Sequence, residues 1–388
     1  MDFNESSYRW IALFLSFLQM FLYGFVLNSI PPVLPLIVAE FSITLAEAGL
    51  LMTFFAAPAI IISIPGALII VKFGVKKISI LGLGLLLIGV LMSVFSTSFT
   101  ILLIGRLVGG IGGTLVFVTA SSLIPMWFNQ KEQGKAMGIF ALTIPVSVLL
   151  VLAIGARISE IFGGWRNWLL LGMVVIAVIL FLNLFLLKER STAFQLDSVS
   201  IKFHKGVLYD KKIWLVALAW FCFNFTTVSL VTYGPTFLTS EKGFSLALAG
   251  VIMSLYMAGA LPMAPTIGWL IQKYGRKVFI IVGNIFFAFF LLIFPIVDIL
   301  YIPLILVILG CFAAMTPTPI YAYPKELTEE KSVSFAFGII STCTAISVLV
   351  VPIVGYLKDV TGAYYASFLA MSLSAFIAVL FILFLDVK

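Results

Sequence analysis

The sequence predicts an all-α integral membrane protein in which twelve transmembrane helices form two six-helix bundles. Three observations support this fold class. Of the 388 residues, 62% are hydrophobic and only 10% are charged, whereas soluble domains contain about 45–50% apolar and about 25% charged residues. Twelve apolar stretches are each long enough to cross a bilayer, and the last six repeat features of the first six. A water-soluble fold of this size is therefore excluded.

The twelve apolar stretches define the predicted spans. A membrane helix needs about 20 apolar residues, whereas strands of a membrane β-barrel would appear as alternating segments of about ten residues. The stretches in this chain are longer and are apolar on all sides. We number them as spans 1 to 12, in the order 10–37, 46–71, 77–97, 99–127, 136–157, 167–187, 213–238, 245–271, 277–297, 301–322, 333–357 and 364–385.

The basic residues predict which side of the membrane each end of the chain occupies. There are 23 Lys and Arg residues against 16 Asp and Glu residues, giving a net charge of +7. If the N-terminus is cytoplasmic, most basic residues lie in inner loops and tails, and the outer loops hold only Arg157, Arg166, Lys242 and Lys358. This bias predicts a protein of the cell membrane with both termini in the cytoplasm. Because topology explains the positive charge, a nucleic-acid partner is not expected.

A long polar stretch divides the chain into two parts. It covers residues 188–212, contains several charged residues, and has six spans on either side. We therefore predict an N-terminal six-helix bundle at 1–187, a cytoplasmic linker at 188–212 and a C-terminal six-helix bundle at 213–388.

The two parts repeat each other at an offset of about 201 residues. Ala48-Gly49-x-x-Met52 returns as Ala249-Gly250-x-x-Met253, and Lys72-Phe73-Gly74-Val75-Lys76 returns as Lys273-Tyr274-Gly275-Arg276-Lys277. Parallel repeats of six helices, related by an axis along the membrane normal, are an architecture of secondary transporters. The repeat predicts a path that runs between the two bundles.

Several loops resemble those of the major facilitator superfamily. Residues 67–77, ALIIVKFGVKK, and their copy 268–277, GWLIQKYGRK, are similar to the loop that follows the second helix in that family. Residues 105–113, GRLVGGIGG, are similar to a motif of its fourth helix. Other similar loops lie at 127–138, 164–166 and 352–362. The resemblance covers the whole chain. Within the superfamily, the chain is distantly similar to permeases of organic anions or cyanate.

The resemblance implies a carrier whose two bundles rock about a central site, with the loops after spans 2 and 8 closing the inner side. The implied gating residues are Lys72, Gly74, Lys76, Lys77, Lys273, Gly275, Arg276 and Lys277. The family usually has Asp where this chain has Val71 and Gln272, which predicts a weaker inner closure. The Gly-Pro motif of antiporters in helix 5 is reduced here to Pro145, which argues mildly against drug/proton antiport.

Arg106 is the most informative single residue because it places a charge inside a span. A charge at mid-membrane costs roughly 2.5–3.5 kcal/mol on insertion scales, so it must face the protein interior. All 16 acidic residues fall in tails, loops or span ends, which makes Asn28, Tyr23 and Gln19 of span 1 the expected neighbours. Two readings stay open. Arg106 either binds carbonyls and polar groups of span 1 as a structural element, or it attracts an anionic substrate.

The resemblance also implies that spans 1, 4, 7 and 10 line the central cavity. Their polar and aromatic residues are Gln19, Tyr23 and Asn28 in span 1, Arg106, Thr114 and Thr119 in span 4, Asn224, Thr227 and Tyr233 in span 7, and Thr316, Thr318 and Tyr321 in span 10. All of them except Thr114 and Thr119 are the candidate substrate-binding residues. Buried amides and hydroxyls need partners in a membrane, so interhelical contacts remain an alternative role for each of them.

Catalytic chemistry is not expected from this sequence. The one histidine, His204, lies in the predicted linker, and Cys222, Cys311 and Cys343 are scattered over the spans. These residues predict no metal site and no bound cofactor. An intramembrane enzyme would need an acid pair, a Ser–His pair or a metal site within the membrane. The glycine run at 109–113 lacks the Lys-Ser/Thr ending of a phosphate loop, so we expect it to serve helix packing.

The sequence thus predicts a secondary active transporter that moves a small solute by alternating access, with a small organic anion as the favoured substrate. The alternative is an exporter of amphipathic drugs or metabolites by ion-coupled antiport. A receptor or channel is a third reading, and the internal duplication favours a carrier over it. Expected partners are the small-molecule substrate, a coupled ion or exchanged substrate, and membrane lipid. The expected oligomeric state is a monomer.

Overall fold

A computed structural model describes residues 3–189, 209–328 and 333–385. Within these ranges the chain has no β-strand, and 12 helices are long and apolar enough to cross a membrane. The predicted fold class is confirmed. Most of the predicted linker at 188–212, including His204, lies outside the described residues.

The N-terminal half contains spans 1 to 6 in the predicted order, and three of these spans are built from more than one helix. Span 1 is the helix Phe3–Asn28, the 3-10 turn Pro31–Val33 and the helix Leu34–Phe41. The other helices are Leu45–Ala56 and Pro58–Phe73 in span 2, Val75–Val94 in span 3, Phe99–Trp127 in span 4, Gln130–Ala141 and Thr143–Ile161 in span 5, and Trp165–Leu186 in span 6.

The C-terminal half repeats this arrangement in spans 7 to 12. Its helices are Lys211–Ser240 in span 7, Leu246–Tyr274 in span 8, Arg276–Ile293 in span 9, Ile302–Ala313 and Pro317–Leu327 in span 10, Val333–Leu349 and Pro352–Thr361 in span 11, and Tyr365–Leu383 in span 12. Two 3-10 turns, Phe294–Ile296 and Ile299–Tyr301, join spans 9 and 10.

Prolines mark the helix breaks in spans 2, 10 and 11. Pro58, Pro317 and Pro352 each occupy the first position of the second helix in their span. Proline is tolerated there because the first N–H groups of a helix have no partner within the helix. Each of these spans can therefore change direction at its proline.

Spans 3 and 4 approach each other at glycine. A Cβ atom on Gly112 would lie 2.3 Å from the backbone nitrogen of Leu86 and 2.5 Å from the carbonyl oxygen of Gly82. Both neighbours are backbone atoms, so a side chain at this position would push the two helices apart. The glycine run at 109–113 thus serves helix packing, as its sequence predicted.

The two halves of the chain meet along two pairs of spans. Spans 2 and 11 pack together, as do spans 5 and 8, and the turn Pro31–Val33 contacts spans 7 and 8. We call the side on which span 1 begins and span 12 ends the near side, and the opposite side the far side. Among the described residues, every hydrogen bond between the halves lies between the middle of span 2 and the far side. The two halves are therefore joined on the far side.

The contact at Gly112 gives a direct test of this packing. Gly112→Ala should lower the thermal unfolding midpoint of the purified protein in detergent, because overpacking typically costs 1–3 kcal/mol. Gly84→Ala is the matched control, since a Cβ at Gly84 would meet no atom within 4 Å. That variant should keep or raise the midpoint, because Ala is favoured over Gly in a helix by roughly 0.5–1 kcal/mol. Equal midpoints for the two variants would contradict the packing described here.

Candidate functional site

The guanidinium of Arg106 is bound by backbone carbonyls. Its Nε donates to the carbonyl oxygen of Leu51 at 2.9 Å, and its two terminal nitrogens donate to Val26 at 2.8 Å and Leu27 at 3.0 Å. The guanidinium carbon also lies 4.5 Å from the ring centroid of Phe55. Arg106 therefore joins spans 1, 2 and 4.

The position of these carbonyls explains why a cation is stable inside the protein. Val26 and Leu27 belong to the last turn of the helix Phe3–Asn28, where carbonyl groups lack partners within the helix and carry a partial negative charge. A cation at this end is favourable, and the aromatic face of Phe55 adds to the attraction. Asn28, an expected neighbour, instead donates to the carbonyl of Gly24 in its own helix at 2.9 Å.

No carboxylate contacts Arg106 among the described residues. The ion pairs found there join Arg9 to Glu132, Arg166 to Glu40, Arg276 to Glu326 and Lys358 to Glu241. Arg106 is also the only charged residue in the buried part of the described chain, with 3% of its surface exposed. Its formal positive charge is therefore compensated only by neutral dipoles and a ring.

Gln19 lies in a buried polar network that joins spans 1, 4 and 6. Its amide nitrogen donates to Asn183 Oδ1 at 2.7 Å, and its amide oxygen accepts from the hydroxyl of Thr119 at 3.0 Å. The side chain is completely buried. Both ends of the amide are thus engaged within the N-terminal half.

Tyr23 and Tyr321 are candidate residues from different halves, and each packs against other aromatic rings of its own half. Tyr23 of span 1 is half-buried and packs against Phe117 of span 4, with ring centroids 5.4 Å apart. Tyr321 of span 10 is 44% exposed, and its ring lies 5.0 Å from that of Trp220 in span 7 and 6.4 Å from that of Phe337 in span 11. Aromatic rings thus pack beside span 1 in the N-terminal half and beside span 10 in the C-terminal half.

Span 7 presents Trp220, Asn224 and Thr227 along one face, since residues four and seven apart lie on the same side of a helix. Asn224 and Thr227 are half-buried. The amide oxygen of Asn224 accepts from the hydroxyl of Ser347 in span 11 at 2.8 Å, and its amide nitrogen has no partner among the described residues. This face continues the aromatic surface beside Tyr321 with polar groups.

The remaining predicted binding residues take other positions. Tyr233 is buried where the halves meet on the far side, and its hydroxyl donates to the carbonyl oxygen of Leu45 at 3.1 Å. Thr316 is buried and accepts from the amide nitrogen of Asn284 at 2.9 Å. Thr318 is exposed one helical turn before Tyr321, on the same face of span 10.

The predicted gating residues lie in two equivalent loops on the near side. Gly74 and Gly275 have φ angles of 88° and 80°, a region that favours glycine. Arg276 pairs with Glu326, and Lys277 donates to the carbonyl oxygens of Leu383 and Leu385 at 3.0 and 2.9 Å. The other four predicted gating residues are Lys72, Lys76, Lys77 and Lys273. None of these lysines forms an ion pair with a described acidic residue. In this conformation the described contacts of these loops stay within one half, and their gating role remains a prediction.

Two carboxylates connect the halves on the far side by accepting hydrogen bonds from helix N-termini. Asp359, at the end of span 11, accepts from the backbone N–H groups of Leu45 at 3.1 Å and Ala46 at 2.8 Å. Glu160, at the end of span 5, accepts from the N–H of Ala247 at the start of span 8, at 3.1 Å. The first N–H groups of a helix lack partners in the helix and attract negative charge. We call these two contacts the far-side latches.

The repeated Ala-Gly-x-x-Met motif packs the halves beside the latches. A Cβ on Gly250 would lie 2.5 Å from the carbonyl oxygen of Leu152 in span 5, and one on Gly49 would lie 2.2 Å from the hydroxyl of Tyr233 in span 7. Both glycines therefore permit close approach of the opposite half. The motif was found in the sequence as evidence of duplication, and the structure shows what it does.

Three residues of this arrangement received no role from the sequence. Asp359 lies inside the loop 352–362, so a signal for it existed. Trp220 could have been identified from its spacing of four and seven residues before Asn224 and Thr227. Glu160 is an acid at a span end, and no pattern distinguishes it from the other acids in that position.

The profile of the Major Facilitator Superfamily matches residues 15–255 and 237–388 of this chain. The chain belongs to this superfamily. It is a multi-pass membrane transporter, and the family resemblance seen in its loops is confirmed.

Relatives among known proteins are also transporters. The chain is 26% identical over 376 residues to a probable sulfoacetate transporter, SauU, of Cupriavidus necator, covering 86% of this chain and 84% of the relative. It is 22% identical to the uncharacterized transporter YybO of Bacillus subtilis, covering 91% of this chain and 89% of the relative. It is 23% identical to the quinolone resistance protein NorA of Staphylococcus aureus, covering 65% of this chain and 60% of the relative.

Solved structures with the same fold include a bacterial homolog of the human lysosomal transporter Spinster. Its inward-facing, unoccupied form matches with a TM-score of 0.77 at 17% identity, covering 97% of this chain and 95% of the other. Its inward-facing, occupied form matches with a TM-score of 0.75 at 18% identity, covering 99% and 97%. This likeness supports the fold.

The far-side latches predict a shift in conformation when one is removed. Asp359→Ala should raise the equilibrium constant for opening of the far side by about 10–100-fold. Hydrogen bonds to a charged group contribute roughly 1.5–3 kcal/mol, and about 1.4 kcal/mol corresponds to a tenfold change in an equilibrium constant. Spin labels at Phe162→Cys and Leu300→Cys, both exposed and in opposite halves, would report the change as a longer distance by pulsed electron resonance in a variant without native cysteines.

A matched control for this experiment is Glu47→Ala. Glu47 accepts hydrogen bonds from Thr44 at the same helix N-terminus, but both residues belong to the N-terminal half. Its removal should leave the label distance unchanged. An unchanged distance in Asp359→Ala would show that the latch does not hold the far side closed.

Proposed function

We propose that this transporter moves a small organic anion by alternating access, as a secondary active carrier. The observation that carries the proposal is the buried charge of Arg106, which no described carboxylate opposes. At an effective dielectric constant of about 20, a unit charge attracts an anion about 8 Å away by roughly 2 kcal/mol. A cavity beside this charge favours anions over neutral or cationic solutes.

The proposed binding residues are half-buried or exposed side chains of spans 1, 7 and 10. Tyr23, Asn224 and Tyr321 offer polar groups, with Thr227 and Thr318 one helical turn away on spans 7 and 10. Arg106 supplies the positive potential from behind Phe55. Gln19, Asn28, Tyr233 and Thr316 have protein partners in this conformation, so their proposed role is to shape the site.

Alternating access follows from the way the halves are joined. We propose that 1–187 and 213–388 move as units connected by the linker 188–212. The near side carries the basic loops, so we place it on the cytoplasmic side of the cell membrane. Because the halves are joined on the opposite, far side, the present conformation is then inward-facing. Closure of the near side would then separate the latches and expose the site to the outside.

The similarity to a probable sulfoacetate transporter supports an anionic substrate, because sulfoacetate carries negatively charged groups. The energy would come from the substrate gradient, an exchanged substrate or a coupled ion, and we propose a monomer without catalytic activity.

A second candidate function is export of amphipathic compounds. Two observations favour it, namely the similarity to NorA and the aromatic side chains of Tyr23, Phe117, Trp220 and Tyr321. That alternative would be supported if the protein exported a cationic dye and Arg106→Gln exported it at the same rate.

Substitutions of Arg106 separate its charge from its structural contacts. Arg106→Gln removes the charge, whereas Arg106→Lys keeps it with three donors in place of five. An anion that stabilises the wild-type protein can be found with a panel of small acids, since a ligand stabilises the folded form by mass action. Arg106→Gln should bind it about 10–30-fold more weakly, the equivalent of roughly 2 kcal/mol, and Arg106→Lys should bind it within a few fold of wild type.

The unfolding midpoint without ligand serves as the control, because both variants lose hydrogen bonds to carbonyls. Equal loss of affinity in the two variants would assign Arg106 a structural role alone. Unchanged affinity in Arg106→Gln, measured by titration at fixed pH, would contradict the proposal.

A further inference from the structure

We infer that the hydroxyl of Thr53 and the carbonyl of Val348 form the pivot on which the two halves rock, and that this hydrogen bond is kept when the far side opens. The inference rests on the proposed alternating access and names the contact about which the halves turn. Three features carry it: the carbonyls that a proline frees in span 11, the depth of the bond, and its place beside candidate binding groups of both halves.

Pro352 leaves two carbonyls of span 11 short of donors in their own helix. The carbonyl of Val348 would normally accept from residue 352, but proline has no N–H, which leaves it the N–H of Val351 at a long 3.3 Å. The carbonyl of Leu349 loses both usual donors, because the third residue on is the proline and the N–H of the fourth bonds the carbonyl of Val350 at 3.0 Å. Backbone carbonyls in a protein interior need a partner, so span 11 has to obtain one from another element.

Thr53 of span 2 supplies this donor from the opposite half. Its hydroxyl lies 3.2 Å from the carbonyl oxygen of Val348 and 3.4 Å from that of Leu349, so one proton serves both acceptors. Val348 is buried and Thr53 is half-buried. Separation at this point would leave carbonyls without a donor at the depth of the membrane, where an unsatisfied polar group is costly. This cost favours a motion that keeps the bond.

The bond also lies deeper than the far-side latches. Asp359 accepts from the N–H groups of Leu45 and Ala46 at the start of span 2, whereas Thr53 lies about 12 Å further along, at a rise of 1.5 Å per residue. In a rotation, displacement grows with distance from the axis, and a hydrogen bond is lost beyond about 3.5 Å. Rocking about Thr53 therefore parts the latches while the bond at the axis survives.

The second half has the equivalent hydroxyl without the equivalent contact. Ser254 follows the repeated Ala-Gly-x-x-Met motif as Thr53 does, yet its hydroxyl donates to the carbonyl of Val251 in its own helix at 2.6 Å. Span 5, which packs against span 8, is a continuous helix over Thr143–Ile161 and offers no matching pair of freed carbonyls. The donor and the proline-freed acceptors thus occur together on the side of spans 2 and 11, and Ser254 provides a matched control.

The pivot lies beside candidate binding groups of both halves. Leu51 and Phe55, two residues on either side of the pivot threonine, contact Arg106 through a carbonyl oxygen 2.9 Å from Nε and a ring 4.5 Å from the guanidinium carbon. Ser347, next to the pivot carbonyl, has its hydroxyl 2.8 Å from the amide oxygen of Asn224. Groups this close to the axis move little while the ends of the bundles swing, as a central site reached alternately from two sides requires.

Thr53→Val tests the pivot, because it replaces the hydroxyl with a methyl group. A bond present in both conformations stabilises both, so its loss should leave their ratio unchanged. We expect the unfolding midpoint of the purified protein to fall by roughly 2–4 °C, while spin labels at Phe162→Cys and Leu300→Cys keep their distance distribution. Thr53→Ser, which retains the hydroxyl, should restore the midpoint.

The same substitution in the Asp359→Ala variant, whose far side is expected to open more often, samples both conformations. Its label distribution should match that of Asp359→Ala alone. Ser254→Ala is the matched control, since it removes the equivalent hydroxyl from a bond that stays within one helix. It should leave the label distribution unchanged and lower the midpoint by less than Thr53→Val does.

Pro352→Ala gives an independent measurement through the acceptor. It returns an N–H to the carbonyl of Val348, so Thr53→Val should lower the midpoint by less than half as much in this background as in wild type. If Thr53→Val alone fails to fold, the double variant is expected to fold.

The outcomes separate the pivot from the proposed alternating access. A longer label distance in Thr53→Val, like that expected for Asp359→Ala, would overturn the pivot alone, because the bond would then break when the far side opens. An unchanged midpoint, or an equal loss with and without Pro352, would overturn it as well. A label distance that no variant changes, Asp359→Ala included, would contradict the rocking itself, and the pivot with it.

Discussion

The arrangement of the N-terminal half depends on one buried cation at the end of one helix. Arg106 completes hydrogen bonds for carbonyls of Val26 and Leu27 and reaches Leu51 in the next span. In a membrane an unsatisfied polar group costs several kcal/mol. Arg106 gives the Leu27 carbonyl a donor and shares the Val26 carbonyl with Ser29, whose hydroxyl donates to it at 2.9 Å. The two roles considered for Arg106 are compatible, since neutral dipoles stabilise a cation without removing its charge.

The duplicated scaffold is symmetric where the halves move and asymmetric where a substrate would bind. On the far side, Asp359 and Glu160 bind equivalent helix N-termini, and Gly49 and Gly250 permit equivalent close contacts. In contrast, the position equivalent to Arg106 in the second half is Val307, at the same offset of about 201 residues. A repeat thus supplies matched joints for rocking, while the charge comes from the first half and much of the aromatic surface from the second.

The spans, their order and the duplication could be read from the sequence because apolar length and loop charge are local properties. The burial of Arg106 followed from the same reasoning. The sequence could not predict which side chains of a span point toward the protein interior, because a span that is apolar on all sides has no periodicity to mark its inner face. Gln19 and Tyr233 were therefore grouped with Tyr23 and Tyr321, although tertiary packing places Gln19 in an interhelical network and Tyr233 in the far-side contact. Asp359 and Glu160 needed the partner half, since the N–H groups that they bind are about 314 and 87 residues away in the chain.

The central claim is that a buried positive charge makes this carrier selective for anions. Counterflow in proteoliposomes tests this claim most directly, because exchange of a substrate across the membrane of a loaded vesicle needs no assumption about the coupling ion. Vesicles loaded with an unlabelled organic acid should accumulate the labelled acid transiently, and vesicles without protein should not. The same vesicles should fail to accumulate the labelled neutral amide of that acid. Equal counterflow of the acid and its amide, or counterflow of organic cations alone, would contradict the account.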